Sequence, residues 1–419
     1  MVRISVLDPN DPILHPLRLG ANQFPGAWAY TMPRELRGLK MPDERRATCM
    51  NCPKACYEDY RPDYRCCTYH PRIPNYLIGL SMLGAGGDTA IDAVMARGLL
   101  LPEGMHHAPG QWYDYLDDLE NESFGQSTKV LCPMLDESNG YCRAHAFRNS
   151  VCSTFFCIKD HGTPGDDFWG QIQTLGTQVE MSLSQWALRA VGFDLDTYFK
   201  TFTRLAAEIK DVSSVTGWKS YVLDQLWGSW KGREKELMRE CGLLASENRD
   251  DLWEIANSFE IKESAKFNIA MITAVPDHLK GQVDPEDLEE DEDAEAAKPK
   301  DIWKSCIKAY EKLWDLPQGH YIMSGRADIV PNHGIDKESL YHEDKPYSIR
   351  VYTRKGSKTL DWRMFINQAE FEVLQLFVGD GRNLDWTLLM HPTLKALGRG
   401  KEFVAEMLKQ KVLVRESLH

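Results

Sequence analysis

Cys49-Met50-Asn51-Cys52-Pro53-Lys54-Ala55-Cys56, followed after nine residues by Cys66-Cys67, is the stretch on which the reading of this chain turns. Cys132, Cys142, Cys152 and Cys157 follow, so nine of the eleven cysteines fall between Cys49 and Cys157 and only Cys241 and Cys306 lie outside. In a reducing cytosol disulfides are disfavoured, and clustered thiols point to metal binding or redox chemistry. Spacings of two or three residues let consecutive thiolates converge on one metal without stretching the backbone. Adjacent side chains point apart, so Cys66 and Cys67 serve two centres, or one ligates while the other packs. The surrounding sequence, to about residue 160, is rich in Pro, Gly, Asn, Asp and Tyr, the turn-forming composition of chain that wraps a metal. Core cysteines, by contrast, do not gather at repeated short spacings.

The whole chain of 419 residues is 43% hydrophobic, enough to bury a large core in two or three domains without help from metal. Its formal charge of -13 opposes whole-protein attraction to nucleic acid or anionic lipid. No stretch carries the run of ~20 apolar residues that a membrane span requires. The start, Met1 to Asn10, breaks its apolar run too early for a signal peptide, so a soluble cytoplasmic protein with no membrane partner is expected. The most apolar interval, Tyr76 to Gly87, is short and glycine-rich and reads as a buried segment or loop rather than an anchor.

The second cysteine group has a recognisable order. Cys132-Pro133-Met134-Leu135, then Gly140-Tyr141-Cys142, then Arg148-Asn149-Ser150-Val151-Cys152-Ser153-Thr154-Phe155-Phe156-Cys157 resembles the CxxCxxCC zinc- or iron-chelating family, also called YkgJ-like, over roughly a quarter of the chain. Asn149 stands where that family has proline and Ser153 where it has arginine, and the first group is stretched between Cys56 and Cys66. The resemblance implies a metal-binding domain; one branch, the flagellin lysine-N-methylases, implies an iron-sulfur cluster with methyl transfer. The metal-ligand candidates are therefore Cys49, Cys52, Cys56, Cys66, Cys67, Cys132, Cys142, Cys152 and Cys157.

Four thiolates suit tetrahedral zinc or a [4Fe-4S] cluster equally by count. Nine thiols exceed the need of one site, and Tyr57, Tyr60, Tyr64, Tyr69, Phe155 and Phe156 are placed in sequence to shield a redox centre, which favours iron-sulfur over Zn2+. Arg143 and Arg148 are cofactor-binding candidates, able to neutralise an anionic thiolate cluster, or else surface arginines. His145, the pair His106-His107, and His70 are alternative ligands or acid-base groups against a reading as hydrogen-bonded packing. Cys306, on a stripe with Ile302, Trp303, Tyr310 and Leu313, and Cys241 both read as structural. The chain has neither a P-loop nor a Gly-x-Gly-x-x-Gly, and Cys49-x2-Cys52-x3-Cys56 reverses the spacing of radical S-adenosylmethionine enzymes.

Residues 1 to 48, with several prolines and little periodicity, read as an extended segment, and 49 to 165 as the cysteine-cluster domain. From about 168 the period becomes helical: Thr177 with Glu180 predicts a capping box, Val179, Leu183, Trp186, Ala187, Ala190 and Val191 a buried stripe, and Gly192 its end. Further helices are predicted from Phe199, at 218–240, at 250–274 and at 301–314, within a helical domain 166–325 carrying an acidic loop 283–299. In that loop Asp284 to Glu295 holds nine acidic residues in twelve.

The last stretch, 340 to 419, reads as its own module. Tyr347, Ile349 and Val351, a turn at Arg354 to Lys358, then Leu360, Trp362, Met364 and Ile366 predict a hairpin. Asn367 and Glu370 cap a following helix, and helices near Asp385 to Met390 and Lys401 to Lys411 complete a winged-helix-like order that resembles the PqqD-like peptide-binding modules. From Lys345 onward thirteen Lys and Arg face eight Asp and Glu, the only region where nucleic acid is electrostatically plausible. The expected fold class is thus mainly α, with an irregular cysteine-rich metal-binding region, a helical middle domain and a small α+β winged-helix-like C-terminal module.

Three functions fit. One is an iron-sulfur protein acting in or with a protein-modifying or redox enzyme and docking a protein or peptide substrate on the C-terminal module. The second is a zinc-stabilised binding or regulatory protein that contacts a protein or DNA. The third is a metal chaperone or store. Whether the chain is itself an enzyme is left open by its residues.

Overall fold

A computed structural model describes residues 7–42, 64, 67–84, 87–120, 129–156, 162–208, 213–261, 297–313, 319–332, 345–384, 388 and 391–415. The chain divides into two compact units, one of Met1–Lys40, Asp63–Thr154 and Ile172–Trp303, the other of Met41–Pro62, Phe155–Gln171 and Lys304–His419. The fold is mainly helical, with five small sheets among the described residues and no barrel. No helix among the described residues is long and apolar enough to cross a membrane.

In the first unit the helices Asn75–Leu83 and Glu234–Glu247 pack closely together. The apolar interval read as a buried segment is this first helix, and its residues from Asn75 to Met82 are all buried. A methyl group on Gly79 would lie 2.0 Å from the Met238 carbonyl oxygen, and one on Gly242 would lie 2.4 Å from the Gly79 carbonyl carbon. The crossing therefore tolerates hydrogen alone at both positions. Cys241, beside this contact, is fully buried.

The helix expected from Thr177 begins earlier, spanning Gly162–Ala190. Thr177 and Glu180 lie in its interior, where the backbone N–H groups already have intrahelical partners, so they form no capping box. Gly192, at φ +77°, follows the helix end as expected. Asp194 then caps the helix Leu195–Glu208, its carboxylate accepting from Thr197 N at 3.0 Å and Thr197 Oγ1 at 2.7 Å.

The expected helix 218–240 is interrupted: Ser220–Trp227 ends at Gly228, φ +50°, and Glu234–Glu247 starts after Gly232, φ +81°. The helix expected at 250–274 is shorter: Leu252–Ser258 ends at Phe259, whose backbone is extended, and 262–274 lie outside the described residues. The acidic run Asp284 to Glu295 lies outside the described residues.

Residues 7 to 42, expected to be merely extended, hold a hairpin pairing Leu17–Leu19 with Asn22–Phe24 around Gly20, φ +61°, and a short helix Trp28–Thr31. Periodicity missed it because each strand has three residues.

In the second unit, Tyr347–Tyr352 is the central strand of a sheet, flanked by Leu360–Ile366 and Ala327–Pro331, both antiparallel. Ile349 faces Met364 and Val351 faces Trp362, the register that the alternating pattern predicts. Asn367 and Glu370 form the predicted capping box on Gln368–Gln375. A second sheet sets Gly319–Met323 between Arg382–Leu384 and Leu413–Arg415, and helices Pro392–Leu397 and Gly400–Lys409 follow. Phe377, Phe403, Met407, Ile349 and Ile366 share one buried core. Of the expected helix at Asp385 to Met390 only Leu388 is among the described residues. On Pro299–Lys312, Cys306 is fully buried, as its stripe implied.

Gly79→Ala and Gly242→Ala should each lower unfolding free energy by about 2 kcal/mol or more through overpacking. Gly170→Ala, where an added methyl meets nothing within 4 Å, should be neutral or stabilising. Chemical denaturation of the three variants checks the contrast.

Candidate metal centre

Three separate stretches of the first unit carry Cys67, Cys132, Cys142 and Cys152. The N–H of Cys132 donates to the carbonyl of Cys67 at 2.7 Å, tying the end of the first cysteine group to the start of the second. The Cys-Pro-Met-Leu and Gly-Tyr-Cys motifs are the two sides of one small hairpin, in which Leu135 pairs with Cys142 and Asp136 with Tyr141. Asp136 organises its turn, accepting from Ser138 N at 3.1 Å, Ser138 Oγ at 2.6 Å and Asn139 Nδ2 at 3.1 Å. Gly140, at φ +68°, supplies the left-handed step before Tyr141.

Cys152 arrives on the short helix Ser150–Thr154. Asn149 holds this helix at its start, with Oδ1 accepting from Cys152 N at 3.2 Å while Nδ2 donates to the Arg72 carbonyl at 2.9 Å. Glu180 of the long helix accepts from Ser150 N at 2.6 Å and from Ser150 Oγ at 3.1 Å.

Cys132 and Cys152 each sense neighbouring thiols. Burial pushes the Cys132 thiol well up, and the neighbouring Cys152, Cys142 and Cys67 add to it. Cys152 is raised by burial and then by Cys142 and Cys67, with Arg148 opposing. Burial also raises Cys142, against Arg148 and Arg143. Ionising Cys132, Cys142 or Cys152 is unfavourable in this setting. Among the described residues, however, no group of three or more His, Cys, Asp or Glu side chains is arranged to hold a metal ion. Cys49, Cys52, Cys56, Cys66 and Cys157 lie outside the described residues.

The two arginines are engaged in building the loops. Arg143 Nη1 donates to the Leu135 carbonyl at 2.7 Å, and its Nη2 pairs with Asp136 at 3.3 Å. Arg148 Nη2 donates to the Gln23 carbonyl, Nη1 to His145 Nε2 at 2.7 Å, and Nε to Ser153 Oγ at 3.3 Å. Both stay close enough to favour a neighbouring thiolate, as the shifts of Cys142 record.

The histidines divide. His70, His106 and His107 are buried and form a relay to backbone carbonyls: His70 Nε2 to Leu131 O at 3.1 Å, His107 Nδ1 to His70 O at 3.2 Å, His106 Nδ1 to His107 O at 2.8 Å. Burial lowers all three, His70 to about 4, so each is a neutral imidazole. His107 stacks on Trp112 with ring centroids 5.3 Å apart. His145 is exposed and bound to Arg148.

A cavity of about 290 Å³ opens beside the helix that carries Cys152, lined by Arg72, Glu103, Glu180 and Tyr69 among others. Sequence reading missed this polar group. Glu180 was legible only as a helix-capping residue, and the signal for Arg72 and Glu103, lone charges next to apolar strands, is too weak to single them out. Comparison with family models, with curated proteins and with solved structures finds no match.

Burial raises Glu180 from 4.5 to about 8, its Ser150 hydrogen bonds opposing. Between those values the folded protein keeps a proton that the unfolded chain has lost, so stability falls as pH rises from about 4.5 to about 8. Glu180→Gln should remove this slope and gain on the order of 4 kcal/mol relative to the parent above pH 8, seen in denaturation curves across pH. Asn149→Ala should cost about 1–2 kcal/mol by uncapping the Cys152 helix, measured in the same way.

Proposed function

We propose that the cysteine region is a metal-binding centre, holding an iron-sulfur cluster of the [4Fe-4S] type in preference to Zn2+, and that the chain acts in or with a protein-modifying or redox enzyme. The observation that carries this reading is that stretches distant in sequence are joined at their cysteines: Cys132 N donates to the Cys67 carbonyl at 2.7 Å, Leu135 pairs with Cys142, and the Cys132 and Cys152 thiols each sense their neighbours. Thiols brought together under burial gain most from a cation that accepts them as thiolates. The order of motifs shared with the YkgJ-like family supports the same chemistry, and nine clustered cysteines exceed what one zinc ion uses. Cys49, Cys52, Cys56, Cys66 and Cys157 remain ligand candidates on the sequence alone. Arg143 and Arg148 would offset part of the negative charge of such a centre.

A second reading is a zinc-stabilised regulatory protein whose C-terminal module contacts a protein or DNA. The net positive charge beyond Lys345 favours it, as do Ala327–Pro331 and Leu360–Ile366, the outer strands of a three-stranded sheet suited to pairing with an extended peptide.

Anaerobic purification of the full chain, with iron, zinc and acid-labile sulfide analysis, separates the two: coloured protein with iron and sulfide supports the first, colourless protein with stoichiometric zinc the second. Cys142→Ser should lose most of the metal, whereas Cys306→Ser should keep it and change only stability. Equal metal in both variants would refute the ligand assignment.

A further inference from the structure

The cavity beside the Cys152 helix holds opposite charges that the metal reading does not use. Arg72 and Glu103 both line it and lie close enough to influence each other's ionisation. Glu103 is held in place: Tyr198 Oη donates to its Oε2 at 3.2 Å, and Gln185 Nε2 to its Oε1 at 3.4 Å. Its backbone is fixed as well, since the Glu103 carbonyl accepts from Asn75 N at 2.9 Å and from Ser184 Oγ at 2.9 Å. These bonds leave further lone-pair positions on the carboxylate, and a guanidinium carries five donors in a planar fork. The remaining wall includes Met105, Val151, Met181 and Phe199.

Bringing one cation and one anion into a cavity costs desolvation that their mutual attraction recovers only in part, so such a pair is a poor device for stability alone. It is a good device for selecting a ligand. A polyanion such as a nucleotide would meet carboxyl groups on Glu103 and Glu180, and a simple cation would meet Arg72. A molecule with one positive and one negative group satisfies both, and the thioether and aromatic wall takes an apolar tail. The volume of about 290 Å³ is at the small end for ligand pockets.

We infer that this cavity binds an α-amino acid with an apolar side chain, its carboxylate on Arg72, its ammonium on Glu103 and its side chain against Met105, Met181 and Phe199. The site is separate from the metal assignment: it needs no thiol, and either can fail without the other.

The test is calorimetric titration of the full chain at neutral pH with L-methionine and L-leucine, and with two analogues of methionine, the amine that lacks the carboxylate and the acid that lacks the amine. Both amino acids should bind, and each analogue should bind at least about tenfold more weakly, because it forgoes one charge-assisted contact in the cavity. Arg72→Gln should bring the amino acid down to the affinity of the amine, and Glu103→Gln to that of the acid. Should a variant fail to fold, as judged by circular dichroism, the ligand series on the unaltered chain still decides. No binding of either amino acid, or analogues that match it, would overturn the inference. Metal content measured on the same preparations keeps this result distinct from the fate of the metal centre.

Discussion

The carboxyl group of Glu180 receives both the backbone N–H and the hydroxyl of Ser150, and the placement of Cys152 depends on that grip. The short helix Ser150–Thr154 has too few residues to persist alone, since helix nucleation is unfavourable and so few bonds repay it poorly. Glu180 fastens its first turn to the long helix, Asn149 caps it, and Thr154 Oγ1 reaches Gln173 Oε1 at 3.2 Å. One side of this short segment bears a thiol, and Val151 on it lines the cavity. The Cys152 thiol and one wall of the cavity therefore sit on the same short helix, and a change in how the helix is held would be felt in both.

The polar interior around this wall is accounted for almost group by group. Three buried imidazoles donate to carbonyls and stay neutral, so they add no charge to the site. Arg143 and Arg148 donate to carbonyls and side chains of the cysteine loops and, through Arg148, to the Gln23 carbonyl of the N-terminal hairpin. Burial, and then the neighbouring thiols, push the Cys132 and Cys152 thiols up, so both are held in the protonated form.

What the sequence made legible follows from range. The hairpin at Tyr347 and Leu360, its capping box at Asn367 and the burial of Cys306 depend on neighbours within a few residues or on a single period, and all are as the pattern predicts. The contact of Gly79 with Gly242 and the grip of Glu180 on Ser150 join residues far apart in the chain, and no local pattern announces them. Glu180 shows the difficulty directly. Its spacing from Thr177 satisfies a capping rule, yet the helix extends upstream of both, and the same carboxyl serves a tertiary role instead. The four described thiols were legible as candidates because cysteine clustering is itself a local signal; the pocket was not, because Arg72 and Glu103 meet only through the fold.

Asn149 and Ser153 both serve the start of the Cys152 helix. Asn149 caps it by accepting from Cys152 N, and its amide also ties the segment to Arg72 O. A proline at this position could make neither side-chain bond and would depend on its fixed φ to start the turn. Ser153 accepts from Arg148, so a guanidinium from a neighbouring position serves the same turn. The Cys152 helix is thus positioned by hydrogen bonds of the chain itself, made whether or not its thiol is engaged.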